Sequence, residues 1–272
     1  MRLSTVVIAL VIAIQSQAQL LPDYPVTEIK AVEIIVNYSL SYQPDSLPPH
    51  FTRQEDQILL IGENVSLYSS YNAWVFEKKM RELENALELQ EYLFTKPAIP
   101  HNLIRIYKNI PQGKLTFSDW VSPNNLKYEE SLGLFHWVLT GDTATIKGFK
   151  AQKATCDFGG RSWVAWFTPE IPYSDGPHKF NGLPGLILNL HDSRNHYVFE
   201  LISIEKPREK IMIEYLEKEY VETTKYDYFK AKDAHNANLD VWVKYQGGDK
   251  NAQQSAKRIA TKRNNPVELI RK

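Results

Sequence analysis

The sequence predicts a mainly β (α+β) fold, in which a curved antiparallel sheet or incomplete barrel has one amphipathic helix packed on it. Short segments that alternate aromatic or β-branched residues with polar residues recur along the chain. One segment has helical spacing of its apolar residues instead. Connections between consecutive strands are short, which indicates antiparallel neighbours because parallel pairing needs a long crossover. No internal repeat or domain linker is visible.

The first third of the chain begins with strands and then changes to a helix. Val32–Tyr42 alternates as a strand, and Gln57–Ile61 and Val65–Tyr68 follow it as a second and a third. Between Phe76 and Phe94, apolar residues lie at helical spacing among many charges, which predicts one amphipathic helix. Pro97 ends that helix, since proline cannot continue the backbone hydrogen bonds.

The rest of the chain is predicted to return to strands. The expected strands are Leu103–Lys108, Lys114–Trp120, Leu134–Leu139, Thr145–Phe158, Ser162–Phe167, Gly185–Leu190 and Tyr197–Ile204. Turn-forming residues predict hairpin connections at Gly141-Asp142, at Gly159-Gly160 and at Asp192–Asn195. The charged segment from Lys206 to Tyr226 is predicted to be partly helical.

The first eighteen residues have the pattern of a cleavable export signal. Arg2 supplies a positive charge, Val6–Ile14 is an apolar run, and Ser16 and Ala18 are the small residues that a signal peptidase requires. The apolar run is too short to cross a hydrocarbon core, which needs about twenty residues. We therefore predict a signal peptide at residues 1–18, one β-rich domain at residues 19–246, and a polar, basic tail at residues 247–272.

Charge and cysteine content exclude several classes of function. The chain has 32 basic and 32 acidic residues, so no overall field attracts it to nucleic acid or to anionic lipid. Cys156 is the single cysteine, which excludes an intramolecular disulfide and a thiolate metal cage. No phosphate loop, dinucleotide fingerprint, hydrolase elbow or zinc-protease helix occurs. We predict no catalytic residues, no nucleic-acid partner and no membrane span.

The most informative segment runs from Gly148 to Leu190. Trp163 and Trp166 are three residues apart, so they lie on opposite faces of a regular strand. The stretch from Thr168 to Gly185 holds too many prolines for a central strand and is predicted to be a shaped loop. Such a loop either braces the mouth of the sheet or forms the wall of a binding site.

A six-residue motif and its neighbours carry a family resemblance. Gly182–Ile187 reads Gly-Leu-Pro-Gly-Leu-Ile, with Trp166–Pro172 and Gly176–Phe180 beside it. This pattern resembles the GLPGLI family of exported Bacteroidota proteins, and the resemblance covers nearly the whole mature chain. The residues that form the structural motif are Arg161, Pro169, Glu170, Pro172, Gly176, Pro177, Gly182, Leu183, Pro184 and Gly185.

The resemblance implies residence in the periplasm, often beside outer-membrane uptake systems. A TonB-dependent transporter of the outer membrane is therefore one expected partner. The resemblance implies no established activity and no catalytic residue. Relatives often have a second cysteine where Ala151 stands here, so a disulfide that includes Cys156 is absent from this chain.

Three sets of residues are candidates for chemistry or binding. His191, His196 and Asp192 surround a predicted hairpin turn and could hold zinc or copper, although no cofactor is required otherwise. Two carboxylates of the loop, Glu170 and Asp175, could act as acid and base with Arg161 near them. The aromatic residues Trp137, Trp163, Trp166 and Phe180 could line an apolar ligand pocket, or they could simply fill the core.

Three functions remain open at this stage. The first is an exported accessory or binding protein of the cell envelope, which carries an apolar ligand or a peptide. The second is an assembly factor that docks to an outer-membrane transporter. The third is a metal-dependent or carboxylate hydrolase.

Overall fold

The structure is a computed structural model that describes residues 24–46, 51–95, 97–98, 100, 102–239, 241, 244, 249–251, 253–254 and 265–269. The predicted export signal at residues 1–18 and most of the predicted tail lie outside the described residues. Among the helices of the described ranges, none is both long and apolar enough to cross a membrane.

The predicted β-rich fold is confirmed. The described part of the chain contains thirteen strands, which are β1 (Val26–Tyr42), β2 (Arg53–Gly62), β3 (Val65–Ser70), β4 (Arg105–Lys108), β5 (Lys114–Val121), β6 (Asn124–Ser131), β7 (Val138–Ile146), β8 (Phe149–Phe158), β9 (Arg161–Thr168), β10 (Leu186–Asp192), β11 (Tyr197–Glu205), β12 (Met212–Leu216) and β13 (Tyr220–Glu222). They form one open sheet in the order β13-β6-β5-β4-β3-β2-β1-β11-β10-β9-β8-β7, and β12 pairs with the first part of β1. Neighbours are antiparallel except for β13 and β6, which run parallel.

The centre of the sheet is buried on both of its faces. On β2, Leu59 and Ile61 belong to the larger apolar core, whereas Ile58 and Leu60 face a smaller second core. This division follows from the period of two in a strand, which directs successive side chains to opposite faces. The larger core lies on the concave face, where it is covered by segments from later in the chain.

The single helix predicted between Phe76 and Phe94 is wrong, because the structure has two helices there. They are α1 (Tyr71–Glu82) and α2 (Ala86–Phe94). Asn85 separates them, since its side chain accepts hydrogen bonds from the backbone nitrogens of Leu87 and Glu88 and so starts a new helix. A third helix, α3 (Lys225–Ala237), begins at the N-cap Thr224.

An ion cluster fixes α1 to the sheet. The carboxylate of Glu77 pairs with the guanidinium of Arg105 on β4 and with Nζ of Lys218, at 2.6 Å. Tyr24 donates a hydrogen bond to the same carboxylate. Burial alone would raise the pKa of Glu77, but Arg105 and Lys218 lower it to about 2.

Several other local predictions are corrected. The segment predicted to be partly helical before Tyr226 contains β12 and β13 instead. Gly141-Asp142 lies inside β7, next to an irregularity in its pairing, and is not a hairpin turn. The hairpin turn falls at Lys147 and Gly148, which both have positive φ, so the predicted strand Thr145–Phe158 is two strands. The strand β6 was not predicted.

Candidate functional site

A cavity of about 280 Å³ lies on the concave face of the sheet. Strands β1, β2, β3, β5 and β11 supply its walls, and α3 and the segment Asn265–Glu268 cover it. Within the described part of the chain, its lining includes eight tyrosine and phenylalanine side chains, which are Tyr42, Phe51, Tyr68, Phe117, Tyr197, Phe199, Tyr228 and Phe229. Aromatic rings therefore make up a large part of the lining, and polar and charged side chains supply much of the rest.

Strand alternation places these side chains. On β2, Arg53, Glu55 and Gln57 are two residues apart and all line the cavity. The residues between them point to the opposite face of the sheet. The same period directs Tyr197 and Phe199 of β11 inward, and both are almost completely buried.

Ring contacts support the aromatic walls. Tyr42 stacks on Tyr197 with ring centroids 5.8 Å apart, and Tyr228 meets Phe117 edge-on at 5.0 Å. The ring of Tyr68 meets that of His178 at 6.0 Å. Offset and edge-on pairs of this kind add roughly 0.5–1.5 kcal/mol each beyond their apolar burial.

Two buried polar side chains of the lining are unsatisfied. Gln57 is 1 % exposed and His178 is 7 % exposed. Among the described residues, neither Nε2 of Gln57 nor Nδ1 of His178 has a hydrogen-bond partner. A buried polar atom without a partner costs about 1–3 kcal/mol, so each such atom requires an explanation.

His178 is neutral in this environment. Burial lowers its pKa well below the usual range, and the nearby ammonium groups of Lys179, Lys108 and Lys225 lower it further. Its backbone has φ of +52°, which is uncommon for a residue other than glycine. The position of the imidazole is therefore set by the loop backbone, at some energetic cost.

Helix α3 is held over the cavity by one buried carboxylate. Tyr228 donates a hydrogen bond to Oδ2 of Asp119 at 2.8 Å, and Nζ of Lys232 donates to the same oxygen at 2.5 Å. The N-cap of this helix is regular, with Oγ1 of Thr224 accepting from the nitrogen of Asp227 at 3.1 Å. These bonds fix the face of α3 that lines the cavity.

Arg161 holds the C-terminal segment against the sheet. Its Nε donates to the carbonyl of Val267 at 3.0 Å, and its Nη2 donates to Oδ1 of Asn265 at 2.6 Å. Nη1 donates to Oδ2 of Asp192 at 2.8 Å. Asn265 in turn accepts a hydrogen bond from the hydroxyl of Tyr197, at 2.6 Å. Five residues of the predicted tail, Asn265–Leu269, thus contribute to the body of the protein.

A second buried ion network joins the loop to the same segment. Nζ of Lys179 is fully buried and contacts Oε1 of Glu268 at 2.6 Å, the hydroxyl of Tyr128 at 2.9 Å, and the carboxylate of Glu130. Lys225 at the start of α3 pairs with both carboxylates. Loop, helix and C-terminal segment therefore meet at one charged cluster beside the cavity.

The Pro-rich loop lies inside the concave face. Phe180 and Leu183 are fully buried in the larger core. Nζ of Lys108 reaches Oδ1 of Asp175 at 2.5 Å and the carbonyl of Gly176 at 2.6 Å, which holds the loop from the side of β4. His178 is the residue of this loop that reaches the cavity, among the described residues.

The glycines and prolines of the motif shape this loop. Gly185 has φ of +144°, and a Cβ atom there would lie 2.1 Å from the carbonyl oxygen of Thr168. A Cβ on Gly176 would lie 2.7 Å from Ile187, and Gly182 has φ of +92°. The surrounding prolines restrict the backbone between these points; they are Pro169, Pro172, Pro177 and Pro184.

Three residues of the predicted aromatic set, Trp137, Trp163 and Phe180, pack together, and none of the four is among the residues that line the cavity in the described structure. Trp163 lies 4.6 Å from Phe180 between ring centroids, and Trp137 donates from Nε1 to the carbonyl of Asn181 at 2.8 Å. Trp166 is half-buried, and the burial pattern confirms that Trp163 and Trp166 lie on opposite faces of β9. These rings fill the core beside the loop.

The predicted metal ligands do not form a metal site. No group of three or more His, Cys, Asp or Glu side chains in the described ranges is arranged to hold a metal ion. The cation beside Asp192 and His196 is the guanidinium of Arg161, which contacts Asp192 at 2.8 Å and Nδ1 of His196 at 3.4 Å. Nδ1 of His191 lies 3.1 Å from the carbonyl oxygen of Asp192. The arginine takes the position that the hypothesis assigned to a metal.

The two candidate carboxylates of the loop have separate partners. Oε1 of Glu170 accepts a hydrogen bond from the backbone nitrogen of Lys150 at 3.0 Å. Asp175 pairs with Lys108, and Arg161 donates a hydrogen bond to Asn265 of the C-terminal segment. Neither carboxylate contacts Arg161 in the described contacts.

Comparison with known proteins gives a family match and a fold match. Residues 160–189 match a family model described as "Protein of unknown function (Porph_ging)". The match covers Arg161 and the entire Pro-rich loop, so it falls on the part that holds the C-terminal segment and supplies His178. Comparison with curated proteins gives no match.

The chain is similar in structure to PNGF-II, seen in two crystal forms. Each comparison has a TM-score of 0.52 and 15 % identity, and they cover 74 % and 76 % of this chain. The chain spans about a third of the length of PNGF-II, 33 % and 34 % in the two forms. This likeness concerns the fold alone.

A third comparison is weaker. The LolA superfamily protein NE2245 from Nitrosomonas europaea has 12 % identity and a TM-score of 0.27, over 72 % of this chain and 93 % of that chain. A TM-score of this size does not establish a shared fold, and no argument rests on it.

Gln57, His178 and the covering residues of the cavity were missed from the sequence. One signal was available for Gln57, because it is a polar residue on the inward face of a strand whose next inward positions are Leu59 and Ile61. No local pattern points to His178, since its position depends on the path of the loop. The contacts of Asn265 join parts of the chain about one hundred residues apart.

Proposed function

We propose that this chain is an exported accessory protein of the cell envelope that binds a small apolar ligand in the concave cavity. The single observation that carries the proposal is the aromatic cavity of about 280 Å³ under α3 and the C-terminal segment. Ligand sites are typically concave and largely apolar, with a few well-placed polar groups. The apolar run and cleavage-like residues at the N-terminus support export, and we place the protein in the periplasm.

The chemistry of the lining favours binding over catalysis. Charged groups next to the cavity are engaged in ion pairs, such as Lys232 with Asp119 and Lys179 with Glu268. His178 has no carboxylate among its contacts in the described structure and is held neutral by burial and by neighbouring cations. A lining that combines aromatic rings with paired charges such as Lys232 suits a ligand that is carried unchanged.

The cavity is formed before a ligand arrives, which supports affinity. Its walls are β-strands, and its cover is held by hydrogen bonds from Arg161 and to Asp119. A preformed site saves the cost of ordering side chains on binding, roughly 0.5–1.5 kcal/mol for each immobilised side chain.

Two measurements test the proposal. Native mass spectrometry of protein purified from a periplasm, with its own export signal, is expected to show a bound small molecule that denaturation releases. In a titration of ligand-free protein, naphthalene is expected to bind and to raise the melting temperature.

A matched pair of variants locates the binding. Ile104→Trp places a large ring at a position that lines the cavity, whereas Leu103→Trp makes the same change at the neighbouring exposed residue. We expect Ile104→Trp to weaken naphthalene binding at least tenfold and Leu103→Trp to leave it unchanged. An apo mass together with no naphthalene binding by the unmodified protein would exclude a carrier of this kind.

A further inference from the structure

We propose that the cavity selects ligands whose polar group is uncharged, a carboxamide or a hydroxyl, and that Gln57 and His178 bind this group. The inference rests on the proposed ligand-binding function and specifies the ligand class. Its basis is two buried polar atoms of the lining, Nε2 of Gln57 and Nδ1 of His178, that have no hydrogen-bond partner among the described residues.

Both side chains are neutral and can donate as well as accept. The terminal amide of Gln57 offers donors on nitrogen and an acceptor on oxygen, and either orientation of the amide leaves a polar atom for a ligand. A neutral imidazole offers one donor and one acceptor. A carboxamide or hydroxyl also carries both functions, so it can satisfy the two residues together.

Anionic ligands are disfavoured because the cations near His178 already have anionic partners. Lys108 contacts Asp175 at 2.5 Å, and Lys179 contacts Glu268 at 2.6 Å. The third cation, Lys225, pairs with the same glutamate and with a second one. An incoming carboxylate would lose its hydration without gaining an unpaired cation, and such burial is costly.

Glu55 adds a negative charge to the lining. Glu55 lies between Arg53 and Gln57 on the inward face of β2. Its negative charge acts on the hydroxyl of Tyr68, whose pKa is raised well above its usual value by burial first and then by Glu55. Four residues of strand place Arg53 about 13 Å from Gln57, too far for one ligand group to contact both.

The test compares three ligands of nearly the same size. Naphthalene supplies the apolar body alone, and naphthamide and naphthoate add groups of the same shape that differ in charge. By calorimetric titration at neutral pH, we expect naphthamide to bind about tenfold more tightly than naphthalene, since one to two hydrogen bonds are gained. Naphthoate is expected to bind at least tenfold more weakly than naphthamide.

The variant Gln57→Leu, with Gln54→Leu as its control, tests whether Gln57 causes the preference for naphthamide over naphthalene. Leucine is close to glutamine in size, and Gln54 lies on the same strand with its side chain on the exposed face. We expect Gln57→Leu to lose part of the tenfold preference for naphthamide over naphthalene, because only the hydrogen bond to His178 remains. Gln54→Leu is expected to keep the tenfold preference.

The outcomes separate the two proposals. If naphthalene binds but naphthoate equals or exceeds naphthamide, the selectivity inference is wrong and the binding function stands. The selectivity inference is also wrong if Gln57→Leu keeps the full preference for naphthamide. If none of the three ligands binds the unmodified protein, both proposals fail.

Discussion

Replacement of Gly185 by alanine is expected to destabilise the protein severely. The built Cβ lies 2.1 Å from the carbonyl oxygen of Thr168 and 2.6 Å from its carbonyl carbon. An ordinary carbon–oxygen contact is about 3.3–3.6 Å, so the two backbone segments must separate by more than 1 Å. The φ of +144° adds strain of roughly 1–3 kcal/mol, and overpacking adds roughly 1–3 kcal/mol more. We expect a loss of about 4 kcal/mol, measured by urea unfolding with tryptophan fluorescence.

Two other glycines separate the causes of this loss. Gly148 has φ of +90° with open space around it, so Gly148→Ala reports strain alone, roughly 1–2 kcal/mol. Gly141 has neither a positive φ nor a close neighbour, so Gly141→Ala is expected to change stability by less than about 0.5 kcal/mol. If Gly185→Ala is as stable as Gly141→Ala, the loop does not pass as close to Thr168 of β9 as the structure shows, and the explanation of why glycine is required at position 185 is refuted.

Three further predictions concern the buried polar groups. Arg161→Met is expected to raise the hydrogen-exchange rate of the backbone amide of Leu269 at least tenfold, because the C-terminal segment loses its contacts with the guanidinium group. An unchanged exchange rate would contradict the role of Arg161 in holding this segment. Burial raises the pKa of Cys156 from 9.0 to about 12, which lowers its thiolate fraction at pH 8 about a thousandfold; alkylation is therefore expected to be about a thousandfold slower in the folded protein than in urea, and equal rates would refute this prediction. The pKa of Glu77 is about 2 in the folded protein, against an ordinary value of 4.5. The ionised carboxylate therefore adds its full contribution to the free energy of unfolding above about pH 4.5, and this contribution is lost as the pH falls toward 2. The unfolding free energy should fall by about 3 kcal/mol over that window, and Glu77→Gln should remove this part of the decline; a variant with the same decline would exclude the assignment.

Local patterns predicted most of the strands, although not β6, β12 or β13, because each strand depends on a few neighbouring residues. Alternation in Val32–Tyr42 and in Ser162–Phe167 reflects one buried and one exposed face, and it correctly separated Trp163 from Trp166. The break at Asn85 was missed because apolar spacing continues across it. Only the hydrogen bonds of its side chain show that the helix stops and starts again.

The candidate site could not be predicted in the same way, since its parts are distant in the chain. Arg161 was correctly noticed, but its partners Asn265 and Val267 lie about one hundred residues later. The aromatic residues near the motif were predicted to line a pocket, yet the rings of Trp137 and Phe180 pack against each other and Phe180 also stacks on Phe135. The rings that leave a cavity come from strands and a helix far from the motif.

The walls of the cavity are held in fixed positions, which explains why its aromatic rings do not close the space. Protein interiors are usually packed to the density of organic crystals, and rings that are free to move would collapse into a space of 280 Å³. Here Tyr197 is bonded to Asn265, Tyr228 is bonded to Asp119, and the left-handed backbone sets the place of His178. Buried ion pairs add little net stability but strongly penalise rearrangement, because a separated partner would be left charged in the interior. The loop and the C-terminal segment therefore keep the walls of the cavity apart, and under the proposed function a ligand would supply contacts and hydrogen bonds in this space.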